Sequence, residues 1–297
     1  WGLEQSRNLM TVQAANTTGM EKVVDLMQRM GVSSQKYPPY LSYSLGAGET
    51  TVMRMVNAYS ILVNHGRALT PSLVDFAQDR KGKVIWPQNW RACDRCNMPD
   101  WDGKPMPRPV TRSRQVIDAM SAYQMVHITE GVIQRGTATI LRDLNRPIMG
   151  KTGTSNGPRD VWFIGGTPQM IAGVYIGYDT PTNLGGYAQG GTLAAPIFKQ
   201  FAQKAYEGLD VLPFTAPAGM RMVRIDRASG RRVYGAWPGT DPKAGVIWEA
   251  FKPESEPRRR ARRSEEAEAP KAEATKKAVR QEGPRDSDFL QREGGIY

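Results

Sequence analysis

Apolar residues recur at helical spacing in five separate stretches of the chain, each bounded by polar or turn-forming residues. The spacing predicts five helices, over about 3–16, 20–30, 51–64, 114–134 and 194–206. Gly31 and Gly66 stand just past two of these stretches, where glycine commonly ends a helix. Met20, Met27 and Met30 fall on the apolar face of the second stretch, so we interpret them as core residues and not as cofactor contacts.

Between the fourth and fifth predicted helices the pattern changes from helical to extended. Three apolar runs separated by turn residues predict an antiparallel meander of strands over 146–155, 160–167 and 170–178. Residues 73–86 predict a hairpin, and residues 222–233 predict a second short one. The combination predicts the α+β class, with helices packed on a small antiparallel sheet.

Composition divides the chain into three predicted regions. Residues 1–208 carry the predicted helices and the meander, residues 209–251 a small β appendage, and residues 252–297 a charged tail. The tail is rich in Pro, Glu, Lys, Arg and Ala, and it has too few apolar residues to offset the entropy of ordering. We therefore expect it to be disordered.

Charge and hydropathy limit the classes of function. The 297 residues carry a formal net charge of +11 and are 40% apolar, which allows a sizeable core. A basic surface suits an anionic environment, and it would also suit nucleic acid. The run Arg258–Arg263 resembles a nucleic-acid patch, but acidic residues follow it at 265–268, so we interpret it as part of a solvated tail. With no nucleic-acid-binding module and no run of eighteen apolar residues in the sequence, we expect neither a nucleic-acid partner nor a membrane span within it.

Cys93 and Cys96 are the only cysteines, and they lie in a loop rich in Pro, Asp and Trp. A zinc site needs four ligands, and His65 and His127 lack the spacing to complete one, so we expect no metal. A redox dithiol would require a helix N-terminus after a strand. We therefore predict a small local disulfide in an oxidising compartment, with the redox pair as the alternative.

The strongest candidate for chemistry is the string Lys151-Thr152-Gly153-Thr154 on the first strand of the meander. A Lys-Thr-Gly triplet on a strand is one element of the active-serine acyltransferases that penicillin blocks. The lysine would supply a cation for a substrate carboxylate, and the glycine would let a substrate backbone approach closely. The strand edge could pair with an extended peptide. Alone the triplet is a weak signal, since it also occurs in ordinary surface turns.

A second motif, Ser6-Arg7-Asn8, places a hydroxyl and an amide two residues apart, where they can relay a proton and bind a substrate amide. The segments that surround the two motifs resemble, in the same order, segments of the class A penicillin-binding proteins: 4–15, 44–59, 151–156 and 159–168. The resemblance covers about residues 1–208 and weakens toward 250. Several motifs in the right order are far more specific than any one of them.

The resemblance implies the penicillin-binding and β-lactamase-like transpeptidase fold with its N-terminal part missing. It implies peptidoglycan D,D-transpeptidase activity through an acyl-serine intermediate, with stem peptides ending in D-Ala-D-Ala and β-lactams as ligands. It implies no metal or organic cofactor, and cell-wall synthesis proteins as further partners. It also implies a location at the periplasmic face of the bacterial inner membrane, with a membrane anchor and a glycosyltransferase domain upstream of this chain.

The same resemblance implies roles for individual residues. Ser6 would relay protons with help from Lys151, and Asn8 would hold the substrate amide. The substrate carboxylate and backbone would be bound by the strand that carries the triplet, namely by Lys151, Thr152, Gly153 and Thr154. The backbone N–H of the last of these would complete an oxyanion hole.

The serine nucleophile of this family lies in a Ser-x-x-Lys motif upstream of Ser-x-Asn, and this chain begins at Trp1, almost at the latter. The one Ser-x-x-Lys string in the sequence is Ser33–Lys36, which stands between Gly31 and a Tyr-Pro-Pro run that cannot extend a helix. The chemistry needs the serine and the lysine one turn apart on a rigid helix, so we reject this string. We predict a C-terminal fragment of a longer enzyme, with no nucleophile in this chain and no activity by itself.

Two other functions stay open at this point. A D,D-carboxypeptidase or a β-lactamase would share the acyl-serine chemistry, although the aromatic stretch 160–168 and the helix after it fit the class A synthases better. A β-lactamase would also need a deacylating glutamate loop, which nothing in the sequence indicates. A basic nucleic-acid-binding or scaffold protein is supported only by the net charge and the arginine run.

Overall fold

Five α-helices form where the apolar spacing predicts them, and caps in the sequence set several of their ends. They are α1 (Asn8–Thr18), α2 (Met20–Arg29), α3 (Val52–Val63), α4 (Ala119–Gln134) and α5 (Ala195–Ala205). The Thr51 hydroxyl caps α3 by accepting the Arg54 N–H at 3.3 Å, and the Asp118 carboxylate caps α4. Gly19 has a left-handed φ of 92°, which lets the chain change direction between α1 and α2.

Two helices begin later than the apolar spacing predicts. Helix α1 starts at Asn8 and not near residue 3, because Ser6 has a left-handed φ of 54° that an α-helix does not contain. Helix α4 starts at Ala119 and not near residue 114, because Arg114–Gln115 pairs with Arg67–Ala68 as a short ladder. A strained residue and a strand pairing therefore override the spacing at these two places.

The structure is a computed structural model, and it describes residues 1–86, 99–100, 102–104, 113–239 and 241–257. Within these residues the strands, in chain order, are β1 (Arg67–Ala68), β2 (Ala77–Gln78), β3 (Val84–Trp86), β4 (Arg114–Gln115), β5 (Met149–Thr154), β6 (Asp160–Gly166), β7 (Ile171–Gly177), β8 (Arg221–Asp226) and β9 (Val246–Phe251). Shorter helical turns lie at Leu41–Leu45, Thr139–Leu144, Gly190–Ala194 and Pro253–Ser255. The predicted hairpin at 73–86 is confirmed, in shortened form, as β2 paired with β3.

The predicted meander forms the central sheet, with strand order β5-β6-β7 and antiparallel pairing throughout. Lys151 pairs with Ile164, and Ile164 pairs with Gly173, so these three residues share one face of the sheet. Thr152 pairs with Phe163 on the opposite face. β5 forms one edge of this sheet. The predicted α+β class is therefore confirmed.

Helices cover both faces of the central sheet. On one face Phe163 packs against Phe198 of α5 with ring centroids 4.7 Å apart, and both side chains are fully buried. On the other face a Cβ added to Gly173 would lie 2.9 Å from Val56 and 3.0 Å from Val52, so only glycine lets α3 approach this closely. Burial of large apolar side chains at such contacts stabilises the fold by roughly 1.5–3 kcal/mol each.

A two-stranded antiparallel ladder packs beside α4, and it adds a strand pairing that the sequence does not predict. The sequence predicts a hairpin within 222–233, but β8 pairs along its whole length with β9. The nearer segment returns only as a single bridge between Ile225 and Arg232. β9 also contributes apolar surface such as the buried Ala250, whose carbonyl accepts a hydrogen bond from Gln124 of α4 at 2.9 Å. The nearer segment lies along the other edge of β8, where the Val233 N–H donates to the Arg224 carbonyl at 2.9 Å and the Asp226 N–H donates to the Arg231 carbonyl at 2.8 Å.

The predicted disulfide and most of the predicted tail lie outside the described residues. Cys93 and Cys96, with their predicted disulfide, lie outside the described residues, as does the predicted tail beyond residue 257. Residues 252–257 are described and contact the rest of the fold, since Lys252 Nζ lies 2.8 Å from Asp118 Oδ2. None of the helices within the described residues is long and apolar enough to cross a lipid bilayer.

Candidate active site

The two candidate motifs meet in space, although 145 residues separate Ser6 from Lys151. Lys151 Nζ donates to Ser6 Oγ at 2.8 Å and to the carbonyl oxygen of Thr152 at 2.9 Å. Lys151 projects from β5, whose backbone is fixed by pairing with β6. An amine in direct contact with a hydroxyl can pass a proton to it or take one from it.

Burial of the Lys151 amine changes its acidity. Burial lowers the pKa of Lys151 from 10.5 to about 8, because a partly dehydrated site disfavours the charged form. At pH 7 roughly a tenth of the molecules then carry a neutral Lys151 amine. The same group can therefore serve as a cation and as a proton acceptor near neutral pH.

Ser6 and Asn8 lie where the chain turns into α1. Ser6 has a φ of 54°, in the left-handed region that costs a non-glycine residue about 1–2 kcal/mol. The turn before it is closed by the Arg7 N–H, which donates to the Gly2 carbonyl at 2.8 Å. Both Ser6 and Asn8 are exposed, and Asn8 is the first residue of α1. A strained, exposed serine against a partly buried lysine is typical of a functional site.

The two threonines of the motif have different surroundings. Thr152 is 8% exposed, and its Oγ1 lies 2.6 Å from Oγ1 of Thr137, on the face of the sheet opposite Lys151. Thr154 is exposed, and its Oγ1 accepts the Gly190 N–H at 3.0 Å. Because a hydroxyl that accepts one bond can still donate another, Thr154 can offer its proton to an incoming oxygen. The Thr152 hydroxyl is occupied within the protein.

Glycines keep side chains away from the strand that carries the motif. A Cβ on Gly153 would lie 3.2 Å from Trp162 Cβ, which is tight. A Cβ on Gly190 would lie 2.5 Å from the Trp162 carbonyl oxygen and 2.7 Å from that of Gly153. Sequence reasoning singled out Gly153 and missed Gly190, since the pair Gly190-Gly191 carries no local signal of contact with a strand 36 residues away.

A buried ion pair beside Ser6 was also missed. Arg135 donates to both carboxylate oxygens of Glu4, through Nε to Oε2 at 3.0 Å and through Nη2 to Oε1. The Arg135 and Glu4 side chains are 11% and 5% exposed. The first apolar stretch of the sequence gives no sign that Glu4 turns inward, because its partner lies 131 residues further along the chain.

The rejected string Ser33–Lys36 lies outside any helix in the structure. The Ser33 hydroxyl donates to the carbonyl of Gln35, and Lys36 Nζ lies 3.4 Å from Glu21 Oε2. The hydroxyl and the amine are therefore engaged with other partners. Nor does the described part of the chain contain a group of three or more His, Cys, Asp or Glu residues arranged to hold a metal ion.

Comparison with known proteins gives matches over most of the chain. The family model of the penicillin binding protein transpeptidase domain matches residues 2–203. The chain is 41% identical to penicillin-binding protein 1A of Rickettsia bellii over 253 residues, which are 84% of this chain and 31% of that protein. It is 34% identical to penicillin-binding protein 1A of Neisseria flavescens over 220 residues, which are 73% of this chain and 25% of that protein.

A solved structure agrees with the sequence matches. The crystal structure of penicillin-binding protein 1A from Haemophilus influenzae matches with a TM-score of 0.71 at 23% identity, over 87% of this chain and 40% of that one. At this identity the likeness concerns the fold. The chain spans less than a third of the length of the two curated relatives above. The family match contains both motifs that meet at Ser6 and Lys151, and this chain belongs to the penicillin-binding protein transpeptidase domain family.

Proposed function

We propose that this chain forms the substrate-binding and proton-relay part of a D,D-transpeptidase site that cross-links peptidoglycan stem peptides. The contact of 2.8 Å between Lys151 Nζ and Ser6 Oγ, beside a sheet edge, is the observation that supports this most directly. In this reaction a serine attacks the carbonyl carbon of the D-Ala-D-Ala bond and D-Ala leaves. The amine of a second stem peptide then takes the acyl group and releases the serine.

The terminal carboxylate of the stem peptide would lie against Lys151 and Thr154. The Lys151 ammonium offers a positive charge, and the Thr154 hydroxyl has a proton left to donate. Hydrogen bonds to charged groups are worth about 1.5–3 kcal/mol each, so these two contacts can hold a small carboxylate firmly. Thr152, with its hydroxyl bonded to Thr137, would contribute through its backbone alone.

The backbone of the stem peptide would add to β5 as a further strand. β5 is an edge of the central sheet, and an edge strand presents N–H and carbonyl groups that pair readily with an extended peptide. Gly153 would keep the approach free of a side chain. The Thr154 N–H would complete an oxyanion hole, and Asn8, exposed at the start of α1, would hold the substrate amide.

The leaving D-Ala amine must gain a proton when the peptide bond breaks. The Ser6 hydroxyl would donate it, and the Lys151 ammonium would return a proton to Ser6 across their 2.8 Å contact. The pKa of about 8 suits this exchange, because the charged and neutral forms of Lys151 differ little in free energy near neutral pH. Lys151 would thus support both carboxylate binding and proton transfer.

The whole enzyme would act in the periplasm, held by a membrane anchor upstream of this chain and in contact with other cell-wall synthesis proteins. β-Lactams would acylate the same serine as the stem peptide. The polypeptide of 297 residues holds no Ser-x-x-Lys string other than Ser33–Lys36, which is not helical. By itself it should therefore form no acyl-enzyme.

A fluorescent penicillin tests this function. The intact enzyme that contains this chain should be labelled on a denaturing gel, and Ser6→Ala should slow the labelling while leaving the protein folded. The 297-residue polypeptide should stay unlabelled, and a covalent band on it that disappears with Ser33→Ala would restore the rejected string as the nucleophile.

Mass spectrometry of the products made from stem peptides then separates the reactions, since cross-linked dimers indicate transpeptidation and trimmed monomers alone indicate carboxypeptidation.

A further inference from the structure

We propose that the buried ion pair of Glu4 and Arg135 is a positioning element, which fixes the Ser6 hydroxyl against the Lys151 amine. This inference rests on the proposed function, because it concerns the same proton relay. Glu4 lies two residues before Ser6, and Arg135 directly follows α4. The pair joins the turn that carries Ser6 to the end of a helix that packs against the strand of Lys151.

The geometry of the pair is that of a two-point clamp. Arg135 Nε and Nη2 bond separately to the two oxygens of the Glu4 carboxylate, so the guanidinium and carboxylate planes are held together. The two side chains are 11% and 5% exposed. An ion pair this deep is costly to form, and it is a weak device for stability alone. The presence of the ion pair is better explained by the geometry that it imposes on the turn containing Ser6.

Two further hydrogen bonds hold the same turn to the same segment. Gln5 Nε2 donates to the Arg135 carbonyl at 2.8 Å, and the Thr137 N–H donates to the Glu4 carbonyl at 3.3 Å. Residues 4 and 5 are thus both bonded to the chain directly after α4. Ser6, the next residue, has little freedom to move away from Lys151.

Two glycines make room for Glu4. A Cβ on Gly131 would lie 2.2 Å from Glu4 Oε1, and a Cβ on Gly136 would lie 2.3 Å from the Glu4 carbonyl oxygen. Gly131 stands inside α4, where glycine is less favourable than alanine by about 0.5–1 kcal/mol. The helix therefore carries a destabilising glycine at position 131, because any side chain there would collide with the Glu4 carboxylate.

The segment after α4 also holds the strand of Lys151. Thr137 Oγ1 lies 2.6 Å from Thr152 Oγ1, one residue after Lys151 on β5. One short segment, residues 135–137, is consequently bonded to the residues just before Ser6 and to the residue just after Lys151. The two members of the relay are set relative to each other by a common support.

The test is the rate constant of acylation within the penicillin complex, measured apart from the binding constant, in the intact enzyme that contains this chain. We expect Glu4→Gln to lower this rate constant about 10- to 100-fold, as for an ångström-scale misplacement, with binding of the penicillin little changed. Arg135→Lys keeps the charge but loses the two-point geometry, so it should fall between Glu4→Gln and the unmodified enzyme. Asp143→Asn breaks the ion pair with Lys199, outside the proposed site, and should leave the rate constant unchanged.

A second variant separates positioning from loss of folding. Glu4→Leu combined with Arg135→Met removes both charges, and replacing a buried ion pair by apolar residues is often neutral or stabilising. The double variant should have a melting temperature equal to or above that of the unmodified enzyme, and it should still be acylated slowly. If it is acylated within about threefold of the unmodified enzyme, the pair is structural only and the inference is wrong. If Ser6→Ala and Lys151→Ala are also acylated normally, the proposed function itself fails.

Discussion

The Lys151 amine lies 2.8 Å from the Ser6 hydroxyl, and it reaches this position from a paired strand while the serine sits in a strained turn. In the proposed enzyme Lys151→Ala removes a cation from the substrate carboxylate and a partner from the relay. One contact of about 1.5–3 kcal/mol corresponds to a loss of roughly 10- to 150-fold, and loss of both could reach several thousand-fold. The measurement is the second-order rate of penicillin acylation of the intact enzyme.

Two matched variants sharpen that experiment. Lys151→Arg keeps the charge but replaces a compact ammonium with a planar fork, so it should be impaired only in part. Lys199→Ala on α5 removes a lysine paired with Asp143 outside the proposed site and should change the rate little. Acylation of Lys151→Ala within about threefold of the unmodified enzyme would refute the assignment of β5 as the substrate strand.

The burial of Lys151 predicts a pH-dependent change in stability. Its pKa is about 8 in the folded chain against 10.5 ordinarily, so between these values the unfolded chain binds more protons. The cost of burying the charge is complete below pH 8 and disappears as the pH rises toward 10.5. Lys151→Met should therefore raise the free energy of unfolding by about 1–3 kcal/mol at pH 7, and by less at pH 10. Urea unfolding at both pH values checks this, and an equal gain at both would contradict it.

Glu130 predicts the opposite trend in another pH range. Burial raises the pKa of Glu130 to about 7, against an opposing effect of the Arg135 charge. The folded chain keeps a proton that the unfolded chain releases between pH 4.5 and 7, so this stabilisation is complete below pH 4.5 and is lost as the pH rises through 7. Glu130→Gln should match the unmodified chain at pH 4 and be more stable by about 1–3 kcal/mol at pH 8.

The neighbours of Glu130 define the control for that experiment. Its Oε2 lies 3.8 Å from His127 Nδ1, whose ring also faces Glu249 at 3.7 Å. Glu207→Gln removes one carboxylate from an exposed position after α5 and serves as the matched loss of charge. A gain for Glu130→Gln that is the same at pH 4 and pH 8 would show that the pKa of this carboxyl does not change on folding.

Gly190 should tolerate no side chain, because a Cβ there would enter the backbone of β5 and β6. Gly190→Ala should lower the free energy of unfolding by about 1–3 kcal/mol or more, as overpacking against backbone atoms does. Gly186→Ala is the matched control, since a Cβ at Gly186 meets no atom within 4 Å. Thermal unfolding of both variants decides the matter, and equal melting temperatures would show that the strand can move aside.

Cys93 and Cys96 should be bridged when the protein is exported to an oxidising compartment. The bond would close a very small loop, so its reduction should change the global stability little. Thiol counting on unreduced, denatured periplasmic protein checks the bridge. Two free thiols per chain, or zinc that stays bound through purification, would rule it out.

The parts of the structure that the sequence predicts are those set by local patterns. Apolar runs separated by turn residues predict the three strands of the central sheet, and the resemblance carried by two short motifs implies that Ser6 and Lys151 belong to one site. The left-handed turn at Ser6 was not predictable, because it depends on contacts with the segment after α4. Glu4 and Arg135 are likewise recognisable only once the fold has joined positions 131 residues apart. Local propensity carries no information on such pairs.

The bonds of Thr137 have a kinematic consequence. Thr137 donates its N–H to the Glu4 carbonyl, and its hydroxyl contacts that of Thr152. One residue therefore connects two arms of the site, the turn that carries Ser6 and the strand that carries Lys151. A tilt or a small shift of α4 would carry both arms in the same direction, and their displacement relative to each other would be smaller than the displacement of either. The distance between Ser6 and Lys151 should therefore change less than the position of either residue when the helix moves.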